Sequence, residues 1–288
     1  MVRRLKRGEW FHPDGFPLTV ERRDPQHPFP PHTHEFSELV IVTGGRGLHV
    51  TGSESWELST GDAFVIAGPR PHHYRELHDL RLVNLMYQPE KLELALRDLP
   101  TLPGYHALFT LEGSWRRRPF RSRLHLPAQE LARVMGWVDE LDAELRSRSP
   151  GFGFMAMAAF MRIMGFLSRC ASRPRNPDDR ALPRIAEALS HVERHFDQPV
   201  TVPELARIAA MSRRNFVRVF RRATGSPPVA YLIQLRLGRA TSLLRNTGRR
   251  ITDIAFDVGF NDSNYFARQF HKVLGVTPRQ YRRLHARV

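Results

Sequence analysis

The feature that most constrains this chain is a duplication near its C-terminal end. Phe216-Val217-Arg218-Val219-Phe220 returns fifty positions later as Phe266-Ala267-Arg268-Gln269-Phe270, and Gly225, Pro228 and Tyr231 return as Gly275, Pro278 and Tyr281. Upstream the offset is forty-nine: Leu205-Ala206 matches Ile254-Ala255, and Met211 matches Phe260. The second copy therefore holds one more residue between its two halves. Coincidences spread over this length mark a repeated supersecondary unit.

Each copy reads as helix, tight turn, helix. In the first, Thr201 to Glu204 fits a capping box with Pro203 in the first turn, and Leu205, Ala206 and Ile208 supply an apolar face. A turn near Ala210-Met211 leads to Ser212, an expected N-cap for a helix through Arg222, and Gly225 ends the segment. In the second, Thr252-Asp253 opens the first helix and Gly259 supplies the turn. Asn261 or Asp262 caps a helix running to about Val273.

Phe216, Phe220, Phe266 and Phe270 sit four apart and face each core. That turns Arg214, Val217 and Arg218 outward on one helix, and Asn264, Ala267 and Arg268 outward on the other. These side chains suit a major groove, Arg bonding guanine O6 and N7 and Asn bonding adenine N6 and N7. Ser212, Arg213, Arg221, Arg222, Arg249, Arg250 and Ser263 flank these faces as further DNA-binding candidates, several of them suited to phosphates. A helix from Pro228 through Leu244 joins the two units rigidly. Two recognition helices on such a strut can enter major grooves about 34 Å apart along one duplex. A plain helical bundle with solvated arginines explains neither the repeat nor the paired outward faces.

Charge points the same way. The chain carries a formal +15. From Ala181 to Val288 there are 19 Arg and Lys against 7 Asp and Glu, a net of +12, whereas the first 180 residues hold 25 against 22. A domain this basic seeks polyanions.

With these residues in view, the segment from Pro183 to the C-terminus resembles the DNA-binding domain of the AraC/XylS family of transcription regulators. The resemblance is carried by Leu205-Ala206, Met211-Ser212, Phe216, Arg218, Phe220, Gly225, Pro228, Tyr231, Arg236-Leu237, Val258-Gly259-Phe260, Tyr265-Phe266, Arg268, Phe270, Gly275, Pro278 and Tyr281-Arg282. It implies two helix-turn-helix units joined by a long helix, and usually a transcription activator. Gly238 in the joining helix is a mild departure, costing about 1 kcal/mol against Ala.

The rest of the chain has other textures. Residues from about 15 to 125 contain short β-prone runs, such as Leu39 to Val42 and Ala63 to Ile66, punctuated by glycine turns, and point to an all-β barrel or sandwich. Leu131, Val134, Met135, Val138, Leu141 and Leu145 then mark one amphipathic helix. A break at Ser149-Pro150-Gly151 precedes a second, Met-rich one. Two such helices either cover the barrel or pair with another subunit. The window Gly151 to Leu167 contains Arg162 and is short for a membrane span, so it reads as a buried or interface helix. Polar Ser172 to Arg180, with two prolines, reads as a linker.

The fold class is therefore multidomain α+β: a barrel over 1–126, a helical packing or dimerisation segment over 127–172, a linker over 173–180 and an all-α DNA-binding domain over 181–288. A single cysteine, Cys170, excludes an internal disulfide. With no secretory signal in the first residues, a cytoplasmic location without membrane contact is expected.

The barrel holds one chemical cluster. His32-Thr33-His34 is followed by Glu38 and Gly45, and Gly61-Asp62 by Pro69 and His72-His73. On a strand His32 and His34 share a face, and a barrel can bring His72 opposite them. These blocks resemble the two cupin motifs, which implies a cupin-like sensor and, in enzymes, one metal ion. Two readings stay open. One is a divalent metal held by His32, His34, Glu38 and His72. The other is a polar pocket without metal in which His32, His34, Glu38 and His72 hydrogen-bond an effector or each other. Phe29 to Val50 and Leu82 to Leu92 further resemble the rhamnose-operon regulators, which implies a sugar effector bound inside the barrel, with Arg46 joining these residues as a contact.

The expected function is a small-molecule-controlled transcription regulator and not an enzyme. Its expected partners are double-stranded DNA, RNA polymerase and a second copy of itself. Two alternatives compete: a metal-dependent cupin enzyme fused to a DNA-binding domain, and a constitutive architectural DNA binder that leaves the barrel unexplained.

Overall fold

The computed structural model describes residues 2–52, 54–68, 70–92, 96, 98–111, 123–173 and 181–285. Its contacts divide it into two units, Met1–Ala186 and Glu187–Val288. The division falls inside a helix, a few residues beyond the expected start at 181. The expected linker from 174 to 180 lies outside the described residues, as does Pro69.

The first unit opens with β1 (Arg3–Leu5) and α1 (Arg7–Trp10). Strands β2 (Leu18–Arg23), β3 (His32–His34), β4 (Ser37–Thr51), β5 (Glu54–Ser59), β6 (Asp62–Ile66) and β7 (His73–Tyr87) follow. Two short turns lead through α2 (Pro103–Tyr105) to β8 (Arg123–His125), α3 (Ala128–Ser147) and α4 (Phe152–Ala171). The hydrogen-bonded order is β2-β7-β4-β6-β8, with β5 added to β4 and β1 parallel to β3. The β-rich domain is as expected, though among the described residues this ladder does not close into a ring.

Strand β4 shows why the unit holds together. Its side chains alternate. Leu39 and Ile41 join the cluster that includes Val134, Val138, Phe160, Ile163 and Leu167 of α3 and α4. Val40 and Val42 pack instead with Phe64, Ile66, Leu80 and Leu82 on the other face. Both faces are buried, so β4 reads as a continuous apolar run. Past Val42 the register against β7 shifts three times, and these bulges bend the strand. Gly45 sits there at φ +66°, where a Cβ would lie 1.9 Å from the Asp79 carbonyl oxygen, so only glycine fits.

Helices α3 and α4 cover one face of the sheet. Arg22 on β2 fixes α3 through Asp142 at 2.9 Å and Asp139 at 2.7 Å. Helix α4 is twenty residues long, longer than the window read from sequence, and passes a length-and-hydropathy test for crossing a membrane. Its Phe160, Ile163 and Leu167 are wholly buried against the sheet, as in the core helix of a globular domain. Its other face leaves Phe154 79% exposed, with Met155 and Met161 also in the open.

The second unit is all helical. It takes in most of α5 (Ala181–Arg194), then α6 (Val202–Ile208), α7 (Arg213–Thr224), α8 (Pro228–Asn246), α9 (Ile251–Asp257), α10 (Ser263–Leu274) and α11 (Pro278–His285). Thr201 and Glu204 form the expected capping box, Ser212 caps α7 by accepting from the Asn215 N–H, and Gly225 ends it at φ +77°. Asp262, rather than Asn261, caps α10. The expected start at Thr252-Asp253 is displaced, because Ile251 packs against the second core and draws the helix start back, with Arg250 at the N-cap.

The duplication holds at the level of ring contacts. Phe216–Phe220 and Phe266–Phe270 have centroids 5.3 and 5.5 Å apart, and Phe220–Tyr231 and Phe270–Tyr281 5.6 and 5.5 Å. The turns match too. Ala210 at φ +48° and Gly259 at φ +89° occupy equivalent left-handed positions. Only at Gly259 would a Cβ meet neighbouring backbone, the Asp197 main chain at 2.8 Å. Gly259→Ala is therefore expected to destabilise the second unit by at least ~1–2 kcal/mol in urea denaturation, from left-handed strain plus the clash. Ala210→Gly should change stability by less than ~1 kcal/mol, since relieved strain and added chain entropy oppose each other.

Candidate DNA-binding faces and effector pocket

On α7 the buried side is Phe216, Val219, Phe220 and Ala223. The 3.6-residue period then forces Arg213, Arg214, Arg218, Arg221 and Arg222 into the open, with Val217 half-buried between them. On α10 the burial of Phe266 and Phe270 leaves Asn264 and Arg268 exposed, with Ser263 and Ala267 half-buried. Ser212 is exposed but its oxygen already accepts the helix cap. Arg249 and Arg250 are exposed; Arg249 also pairs with Asp257.

Two neighbours of these arginines were not anticipated from the sequence. Asn215 Oδ1 accepts a hydrogen bond from Arg218 at 2.7 Å, and the Tyr265 ring lies under the Arg268 guanidinium, 5.9 Å from centroid to carbon. Each stands three residues before its arginine, one helical turn back, and that spacing was the available signal.

In the first unit, β3 carries His32 and His34 to the same side, both buried, and His72 meets them through paired backbone hydrogen bonds with His32 at 3.0 and 3.1 Å. His73 is half-buried and turned away, as alternation requires. Glu38, 6% exposed, lies 3.5 Å from His34 Nε2 and 3.6 Å from His72 Nε2. His34, Glu38 and His72 bring their ligand atoms within 4.8 Å of one another; His32 stands outside that group. Its Nδ1 donates to the Pro30 carbonyl at 2.9 Å, and burial, reinforced by His72, pushes its pKa down to about 4.

The chemistry of the cluster follows from where the Nδ1 protons go. His34 Nδ1 lies 2.6 Å from the Phe36 carbonyl and His72 Nδ1 3.4 Å from the Arg70 carbonyl. A carbonyl only accepts, so both Nδ1 atoms carry a proton and both Nε2 atoms of neutral rings present lone pairs. Those lone pairs face the Glu38 carboxylate. Burial opposes ionisation of Glu38; with a second proton on the rings, His34 and His72 donate to it from Nε2, outweigh the burial and hold the carboxyl below the usual carboxylate range. Three acceptors can converge like this only around positive charge or around donors: a second proton on a ring, a metal ion, or the hydroxyls of a ligand.

Arg46 is not part of this pocket. It is exposed in a separate open groove with Glu57, Glu76, His78, Arg123 and His125. It shares a strand with Glu38 but lies eight residues on, ~25 Å at the usual rise, beyond the first bulges. The pocket instead includes Trp10, Tyr74 and Asn84, which the sequence analysis did not single out. Asn84 stands opposite Val40 in the β4–β7 register, a polar residue inside the apolar run Leu82 to Met86.

Comparisons with known proteins agree with both halves. Residues 18–148 match the model of an AraC-like ligand binding domain, and residues 205–284 that of a helix-turn-helix domain. The HTH-type transcriptional activator RhaR of Yersinia pestis is 33% identical over 287 residues, covering 96% of this chain and 93% of that protein. RhaR of Klebsiella pneumoniae is 32% identical over 96% of each chain, and RhaR of Mannheimia succiniciproducens 28% identical over 98% and 97%. The enzyme alternative finds no support among them. Duplicated basic helices, a buried polar pocket and relatives matching nearly end to end place this chain in the AraC family, as a DNA-binding transcription regulator controlled by a small molecule.

Proposed function

We propose that the protein is a cytoplasmic, sugar-responsive transcription activator whose effector binds at His32, His34, Glu38 and His72. The observation that carries the DNA half of this reading is the pair of repeat-equivalent arginines, Arg218 and Arg268, both exposed on helices fixed by the same ring contacts. Arg214, Arg218, Asn264 and Arg268 read bases, with Val217 and Ala267 as apolar contacts. Arg213, Arg221, Arg222, Arg249, Arg250, Ser212 and Ser263 hold the backbone. The relatives' names support activation, and an activator works through RNA polymerase. Exposed Phe154, Met155 and Met161 support pairing of two copies through α4, since an apolar patch on a regulator marks an interaction site.

The sugar reading rests on the rhamnose-regulator resemblance and on the converging acceptors of the pocket. An effector acts only through unequal affinity for two arrangements of the protein. Selection from random DNA gives the operator. Against it, Arg218→Ala and Arg268→Ala are each expected to weaken binding by about 1–3 kcal/mol and relax preference at different positions. Arg222→Ala should weaken all sequences alike and flatten the salt dependence. Unchanged selectivity in both of the first two variants would contradict the assignment.

A second reading has its own observation. Ligands ~2.1 Å from a tetrahedral ion lie ~3.4 Å apart, close to the Glu38 separations from His34 and His72, and the fixed Nδ1 protons leave each Nε2 free to bind. The donors fit a divalent metal, held by His34, Glu38 and His72, with His32 beside it. The metal would supply Lewis acidity towards oxygen ligands. Titration of purified protein with Co(II) is expected to give one equivalent with a visible absorption band under this reading, lost in Glu38→Gln; no band and no heat exclude it.

A further inference from the structure

The cavity beside the histidines holds more buried polar atoms than the protein itself satisfies. Trp10 Nε1, His34 Nε2, Tyr74 OH and Asn84 Oδ1 are each buried without a hydrogen-bond partner in the protein, and all four residues line the same cavity. Tyr74 is 7% exposed, Asn84 8% and His34 3%. An unsatisfied buried polar group costs about 1–3 kcal/mol, so four around one space are not a packing accident.

Their polarities are mixed. Trp10 can only donate and Tyr74 is free to donate, whereas Asn84 Oδ1, His34 Nε2 and the Glu38 carboxylate accept. A partner must therefore accept at one edge and donate at the other, which a hydroxyl does by itself. The cavity volume is about 80 Å3, smaller than the usual ligand pocket, so its occupant must be compact and seat partly in the mouth. Charge selects further. The buried Glu38 repels an anion, and Arg23 at the rim is engaged with Glu21 at 3.3 Å and lies over the Trp10 ring.

We infer that Trp10, Tyr74 and Asn84 are effector contacts, and that with His34 and Glu38 they select a small, neutral, hydroxyl-rich ligand. This rests on the effector reading of the pocket and adds three residues and a charge rule to it. The ring of Trp10 gives one apolar wall for the C–H face of such a molecule, while Asn84 and Tyr74 fix its rotation.

The test uses the full chain in calorimetric titrations with L-rhamnose, L-arabinose, ribitol and D-glucuronate, alongside thermal unfolding without ligand. At least one neutral compound should bind, and D-glucuronate at least tenfold more weakly. Tyr74→Phe and Trp10→Phe should each weaken the neutral compound by about five- to tenfold, the loss of one net hydrogen bond. Tyr74→Phe should leave the ligand-free melting temperature unchanged or raise it, because it removes an unpaired buried hydroxyl. Asn84→Leu should likewise abolish discrimination among the neutral compounds. If a neutral compound binds with undiminished affinity in both aromatic variants, or if Tyr74→Phe melts lower without ligand, the contact assignment is overturned while the effector reading stands. If only D-glucuronate binds, the charge rule fails. If none binds and DNA binding ignores all four, the proposal and the sugar reading fail together.

Discussion

Two phenylalanines four residues apart, buried on one side of each recognition helix, decide where everything else on that helix points. With Phe216 and Phe220 inside, the helical period leaves Arg214 and Arg218 no direction but outward; Phe266 and Phe270 do the same for Asn264 and Arg268. Replacing a buried ring costs about 3–5 kcal/mol, far more than any exposed arginine contributes to stability. The core therefore sets the geometry and the arginines are carried by it. Arg218 is then held by Asn215 and Arg268 lies over the Tyr265 ring, so part of the rotamer freedom of both arginines is given up.

The pocket follows a different physical logic. Its groups are arranged against their own electrostatic preference, with acceptor facing acceptor around Glu38 and several polar atoms left without protein partners. A fold tolerates such an arrangement where binding removes the cost, and the free energy recovered on binding is what an effector can use to bias one arrangement of the regulator over another. The same strand that carries Glu38 inward carries Leu39 and Ile41 against α3 and α4, so pocket and helices share one element.

Local chemistry was the legible part of the sequence. The capping box at Thr201, the Ser212 cap and the Gly225 stop were readable because each depends on neighbours a few residues away. The repeat fixed the second domain for the same reason, doubled. What failed depended on distance in the fold. Arg46 lies on the same strand as Glu38, but the sequence carries no measure of where bulges interrupt that strand and carry a residue away from the pocket. His32 shares a face with His34 and lines the same cavity, but lies outside the three converging side chains, because the meeting of β3 with His72 determines which rings converge. Asn84 and Tyr74 reach the pocket through β4–β7 pairing across more than twenty residues, a register no local pattern reports. Thr252-Asp253 looked like a helix start, and the helix begins one residue earlier, at the partly buried Ile251.

If DNA binding follows the duplication, one copy of this chain lays two equivalent helices in successive major grooves of a duplex. Methylation interference at guanine N7 on a selected operator tests it directly. Two patches of interference about 10 base pairs apart are expected for each bound chain, one vanishing in Arg218→Ala and the other in Arg268→Ala. A single patch, or two patches that both survive either substitution, would contradict it.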